Sequence, residues 1–208
     1  AVSEATETRL TEYRTPISET LRQSRVWISI ALFFVYTGSE LVLGHWGYTL
    51  LTESRGIRPE IAGLVAGSYW GMFTIGRIVA GVYARRISVH TLLRISMLTA
   101  IAGALLLLVN PSETASLIGV AIVGFAIAPI FPGLVSGTSQ RVGPRHAANT
   151  IGMQISAAGL GGALAPTLAG ILARRVSLET IPVFLVVLLI LLASMYSFTT
   201  REQSNQRI

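Results

Sequence analysis

The 208-residue chain has no cysteine, no lysine and no aspartate. Without thiols it has no disulfide and no thiolate metal site. Without lysine it has no Walker-type phosphate loop. Glu is the only acid and Arg the only base. Charged residues make up 12% of the chain, against about a quarter in soluble domains. The three histidines, His45, His90 and His146, sit on separate segments with no metal-ligand spacing, and no Gly-x-Ser-x-Gly occurs. The best pairing open to an intramembrane serine protease is Ser136 with His146 or His45, and it is a weak one. We expect neither an enzyme nor a cofactor-bearing protein.

What the chain has instead is apolar sequence, 51% of its residues. Crossing about 30 Å of hydrocarbon takes roughly 20 helical residues. Runs of that kind lie at 26–50, 61–84, 89–109, 115–138, 147–173 and 180–199. The third is the weakest, because Arg94 sits inside it and must reach back toward the headgroups. A soluble bundle would give each helix a polar face, and these runs have almost none. The expected fold is therefore an all-α polytopic membrane protein of six transmembrane helices. Residues 1–25 read as a cytoplasmic tail or inter-domain linker, with a short surface helix near Ser18-Glu19-Thr20, and 200–208 as a cytoplasmic tail. The first 25 residues lack the apolar core of a signal peptide, and a chain opening on Ala1 is expected to be processed or cut from a longer one.

The formal charge of +6 fits a membrane topology better than nucleic acid. With the N-terminal tail inside, Arg9, Arg14, Arg22, Arg25, Arg85, Arg86, Arg94, Arg141, Arg145, Arg201 and Arg207 fall inside, and Arg55, Arg58, Arg174 and Arg175 outside. Eleven against four follows the positive-inside rule in a multi-pass protein of the cell membrane. No arginine run alternates with aromatics as a nucleic-acid surface would, so the expected partners are the bilayer and a small solute.

Ala80-Gly81-Val82-Tyr83-Ala84-Arg85-Arg86-Ile87-Ser88 returns 89 residues later as Ala169-Gly170-Ile171-Leu172-Ala173-Arg174-Arg175-Val176-Ser177, identical at six of nine positions. Three spans, an odd number, separate the copies, so they should lie on opposite sides of the bilayer. That is an inverted repeat of two three-helix units, about 26–109 and 115–199, a design found in secondary transporters. Gly63, Gly67 and Gly71 in the second span, and Gly161, Ala165 and Ala169 in the fifth, mark faces where helices are expected to touch.

Glu40 is the most informative single residue, because an ionised carboxylate in mid-span is costly. Tyr36, Gly44 and Gly47 share its helical face, with Trp46 nearby, as in the wall of a polar cavity. Desolvation favours the neutral acid, which suits Glu40 to proton exchange. Candidate solute contacts are Tyr36, Glu40, Trp46, Trp70, Gln154 and Asn149. Gln154 suits either a sugar hydroxyl or an interhelical bond, and Asn149 also suits a helix cap. Arg77 has no acidic neighbour in sequence, and it must find carbonyls, Glu40 or a carboxylate outside the chain. Pro129 and Pro132 in Ala128-Pro129-Ile130-Phe131-Pro132-Gly133 cannot sustain a regular helix, so a kink beside a cavity is expected there.

Gly76-Arg77-Ile78-Val79-Ala80-Gly81-Val82-Tyr83-Ala84-Arg85-Arg86 resembles the G-R-x-x-x-G-x-x-A-D-R signature that closes the second and eighth helices of the major facilitator superfamily, with Arg85 where that family usually has Asp. Residues 128–133 and 151–166 look like the tenth and eleventh helices of members near the fucose–proton symporters, and Tyr36-x-x-x-Glu40 followed by Trp46 is similar to their seventh. The resemblance implies the C-terminal half of a twelve-helix carrier, partnered by an N-terminal six-helix half. First and fourth spans would line the path, second and fifth flank the gate, and third and sixth support them. It casts Arg77, Arg85, Arg86, Pro129 and Pro132 as gating residues. A sugar-like solute is expected. An amphipathic drug-like solute, or a six-helix scaffold or sensor, are the alternatives.

Overall fold

The computed structural model describes residues 15–84 and 86–205, with side chains to residue 200. Arg85, Arg9 and Arg14 lie outside the described residues, as do the side chains of Arg201 and Arg207. All regular structure among the described residues is helical. A short α1 (Ile17–Leu21) leads into α2 (Ser24–Thr49), which ends in a π-helical turn, Leu50–Ser54. Then come α3 (Pro59–Tyr83), α4 (Val89–Val109), α5 (Glu113–Ile127), α6 (Ile130–Ser136), α7 (Thr138–Val142), α8 (Pro144–Arg175) and α9 (Thr180–Asn205).

Local chemistry sets the boundaries. Pro59 and Pro144 open α3 and α8, where a missing N–H costs nothing. Ser88 and Ser112 cap α4 and α5 by accepting from the N–H groups of Thr91 (3.1 Å) and Ala115 (3.2 Å). Asn110 ends α4 in the left-handed conformation, φ 46°. The fourth span is interrupted at Ala128–Pro129, between α5 and α6, and again at Gly137, before α7. By contrast α8 runs unbroken through Pro166.

Five helical segments are long and apolar enough to cross a membrane: Ser24–Ser54, Val89–Val109, Glu113–Ser136, Pro144–Arg175 and Thr180–Thr200. The sixth expected span, α3, is a 25-residue helix but is not among them. Glu60, Ser68, Arg77 and its glycines dilute its apolar character. Nor is the third span the weakest: α4 has a mean hydropathy of 2.3, because its single charge, Arg94, stands only five residues from its start.

The helices cross in a recurring pattern. α2 packs chiefly on α8, and α3 chiefly on α5. At Gly161 an added Cβ would stand 2.1 Å from the Phe34 carbonyl oxygen of α2, and at Gly76 it would stand 2.2 Å from that of Phe125 on α5. Only glycine admits such backbone approach. Ala165 lies 89 residues after Gly76, and its Cβ abuts Gly38 of α2. The same offset that relates the two arginine motifs thus relates the two crossings. The Gly63, Gly67 and Gly71 stripe touches nothing: no atom comes within 4 Å of a Cβ placed there. α3 turns the other side, Ala62, Tyr69, Phe73, Gly76 and Ala80, inward. The main core joins α2, α4, α5, α6 and α9 through Phe33, Leu93, Val123, Ile130 and Leu189.

Candidate functional site

The break at Pro129 brings Phe131 onto α2. Its ring centroid stands 5.1 Å from Phe33, edge to face, and 5.8 Å from Tyr36. Tyr36 is fully buried, and its Oη makes no hydrogen bond of ordinary geometry; the Glu40 carboxyl is the side chain placed to accept from it. One turn on, Glu40 is close enough to Tyr36 and Arg77 to interact electrostatically with both. Tyr69 of α3 fixes the backbone here by donating its hydroxyl to the Glu40 carbonyl at 2.8 Å. Trp70 lies over Gly44 and packs edge-on against Tyr69 (5.0 Å) and Phe73 (5.7 Å). The Arg77 guanidinium sits 4.5 Å above the centre of the Phe73 ring, a cation–π contact.

Ion pairs among the described residues are Arg55–Glu179 and Arg145–Glu19, so Glu40 and Arg77 do not neutralise each other directly. Arg77 opens onto a cavity of about 520 Å³, walled by Pro129, Phe131, Pro132 and Ser136 with the C-terminal end of α3 and the start of α4. One region therefore gathers an acid, a base, a phenol, an indole and a broken helix. Such a surface can donate to, accept from and stack on a small polar solute.

Other sequence candidates go elsewhere. Trp46 is not on the Glu40 wall. Six residues on, it points to α8, donates Nε1–H to the Pro166 carbonyl at 2.9 Å and packs against Gly170. Gln154 makes the interhelical choice. It is fully buried, donates to Ser29 Oγ at 2.6 Å and bonds Thr138 Oγ1 at 3.1 Å. Asn149 ties down the segment before α2, donating to the Thr15 carbonyl (2.8 Å) and Thr20 Oγ1 (3.2 Å). Arg86 is exposed in the turn between α3 and α4.

Two arginine clamps were missed in the sequence. Arg141 is buried and donates to Ser29 Oγ at 3.3 Å, Thr138 Oγ1 at 3.1 Å and the Leu134 carbonyl, so it belongs to the Gln154 network. Burial pulls its pKa down to about 10, which leaves it charged at neutral pH. At the other end of the bundle, Arg55 reaches both Glu179 oxygens (3.1 and 2.8 Å), Ser116 Oγ (2.7 Å) and the Leu107 carbonyl (2.8 Å). One guanidinium thereby joins the α2–α3, α4–α5 and α8–α9 connections. The Arg55 hydrogen bonds hold the Glu179 carboxyl below its ordinary range, against a smaller opposing effect of burial. Arg55 has no local sequence signal, because its partners come from distant elements, and Arg141 pairs locally with Thr138 but reaches Ser29 only across the fold.

The family model described as Major Facilitator Superfamily matches residues 28–207. A relative from Saccharomyces cerevisiae (strain ATCC 204508 / S288c), "Bypass of stop codon protein 6", is 27% identical over 176 residues, covering 79% of this chain and 35% of its own length. The chain thus spans about a third of that relative. Five apolar spanning helices, a broken span beside a charged cleft and a match over nearly the whole length agree, and the chain belongs to the Major Facilitator Superfamily of membrane transporters.

Proposed function

We propose that this bundle is the C-terminal half of a secondary carrier that moves a small polar, sugar-like solute by alternating access, with Glu40 as the proton-exchanging group. The observation that carries the reading is the Tyr36–Glu40–Arg77 grouping beside the broken span. Tyr36 presents a buried hydroxyl that makes no well-formed hydrogen bond and has only the Glu40 carboxyl beside it as an acceptor. Such a group is costly to leave unsatisfied, and a solute hydroxyl would satisfy it. An acid that is not ion-paired can exchange a proton as the site changes its access to water.

The shared 89-residue offset of the arginine motifs and of the two helix crossings supports two inverted three-helix units. The positive-inside count supports cytoplasmic tails and a cell-membrane location. An N-terminal six-helix half is the natural cover for the unpacked glycine face of α3. The branch near the fucose–proton symporters rests on the helix resemblances alone.

A second reading, an amphipathic solute, draws support from the cavity beside Arg77, whose walls are otherwise apolar or glycine apart from Ser136. A sugar panel and an amphipathic panel separate the two in proteoliposomes made with the full-length protein. For the first reading, Glu40→Gln should abolish pH-driven accumulation of the transported sugar while leaving the protein folded. Uptake and pH dependence that are unchanged in Glu40→Gln would remove Glu40 from the mechanism.

A further inference from the structure

α4 and α9 are among the most apolar helices, with mean hydropathies of 2.3 and 2.5, yet only 39% of each spanning window is buried within the bundle. Their remaining surface is suited to lipid. Between them runs a groove of about 410 Å³, lined by Ile101 of α4 and Ile190, Ala193, Ser194, Ser197 and Phe198 of α9. That is the volume range of sites built for small amphiphiles.

Two features of this groove are out of place on a plain hydrocarbon-facing surface. Ser194 and Ser197 are exposed, and neither hydroxyl makes a hydrogen bond among the described residues. They do not bond back to their own helix, as a serine facing lipid usually does. The second feature is Arg94. It lies seven residues before Ile101, on the same face of α4 and about 10 Å along the axis. It is exposed and forms no ion pair among the described residues. Its one hydrogen bond is a long contact, 3.5 Å, to Thr200 Oγ1 across the groove. A guanidinium with unused donors stands at the end of an apolar trough floored by two free hydroxyls.

We propose that this groove holds one acidic phospholipid, its phosphate on Arg94 and an acyl chain along Ile101, Ala193 and Phe198. The guanidinium selects a negative headgroup over a zwitterionic one, because only the former leaves a net charge to neutralise it. Ser194 and Ser197 donate to the ester oxygens below the phosphate, and Phe198 closes the side of the trough. The topology proposed above places this lipid in the inner leaflet, and only that assignment rests on it.

The test is native mass spectrometry of the full-length protein, delipidated in detergent and titrated with phosphatidylglycerol or phosphatidylcholine. Phosphatidylglycerol should bind more tightly at one saturable site. Arg94→Gln should weaken it about fivefold, the worth of one cation near a membrane surface, and leave phosphatidylcholine unchanged. Ala193→Phe, which fills the trough, should weaken both lipids, and Arg58→Gln on the opposite side should weaken neither. Excess inorganic phosphate should not displace the lipid. Equal affinity of the wild type for the two lipids, full phosphatidylglycerol binding by Ala193→Phe or by a folded Arg94→Gln, or displacement by phosphate would each overturn the proposal.

Discussion

Tyr36 holds a hydroxyl sealed from solvent, with the Glu40 carboxyl beside it but no hydrogen bond of ordinary geometry. A purely structural position would be better filled by phenylalanine. Tyr36→Phe should therefore change stability by no more than about 0.5–1.5 kcal/mol, the worth of one hydrogen bond to Glu40. The same change should raise the KM for a hydroxyl-bearing solute about two- to tenfold, the worth of one hydrogen bond. A fall in the midpoint without a change in KM would make Tyr36 a packing residue. Glu179 allows a second test by acid. Arg55 keeps its folded pKa below the ordinary carboxylate value of 4.5. The clamp's contribution is thus complete above about pH 4.5 and is lost as the pH falls through the lower folded value. Unfolding scans should show the wild type losing more stability below about pH 4.5 than Glu179→Gln, which has no carboxyl to protonate. Identical acid dependence in the two proteins would mean that the clamp does not stabilise the fold. Residue roles were the least legible part of the sequence. Glu40 stood out because a charge in an apolar run needs no neighbour to be noticed. Trp46 misled because six residues amount to about 240° around a helix, which carries it off the Glu40 face and onto α8. Arg141 sat in what read as an ordinary basic loop, and only the fold surrounds it with Ser29, Thr138 and Gln154.

Helices were far easier to find. Lipid demands long apolar runs and internal backbone bonding, so boundaries fell within a few residues of α2, α4 and α8. Pro129 marked the break in the fourth span, whereas Pro166 did not break α8. Which face of an apolar helix meets another was harder to see, since small residues on two faces look alike. The α8 stripe of Gly161, Ala165 and Ala169 packs on α2, while the α3 stripe of Gly63, Gly67 and Gly71 stays uncovered. This contrast predicts opposite phenotypes. Gly161→Leu drives a side chain into the Phe34 carbonyl and should destabilise the bundle by about 1–3 kcal/mol or more, seen as a lower midpoint and loss of a single peak in size exclusion. Gly67→Leu should leave that midpoint within about 0.5 kcal/mol, as a substitution away from any packed contact does, yet reduce transport by the full-length carrier if its partner half covers this face. Equal midpoints for the two variants would contradict the packing described.

Across the whole molecule, the arginine clamp Arg55 gathers the connections at one end, and Arg141 with Gln154 fastens the other. Between them lies the acid–base–aromatic grouping, of which Arg77 and Phe131 line the cleft at the broken span. In the carrier reading proposed above, two three-helix units of opposite orientation form one wall of a solute path. Because the chain has no cysteine, its orientation can be read with single labels. The decisive measurement is thiol labelling of Ser88→Cys and Ser177→Cys, the matching ends of the two arginine motifs, in sealed vesicles of the full-length protein freed of any other cysteine. A membrane-impermeant reagent should reach Ser177→Cys from outside, and Ser88→Cys only after the vesicles are opened. Labelling of both from the same side would contradict the inverted arrangement and the carrier reading built on it.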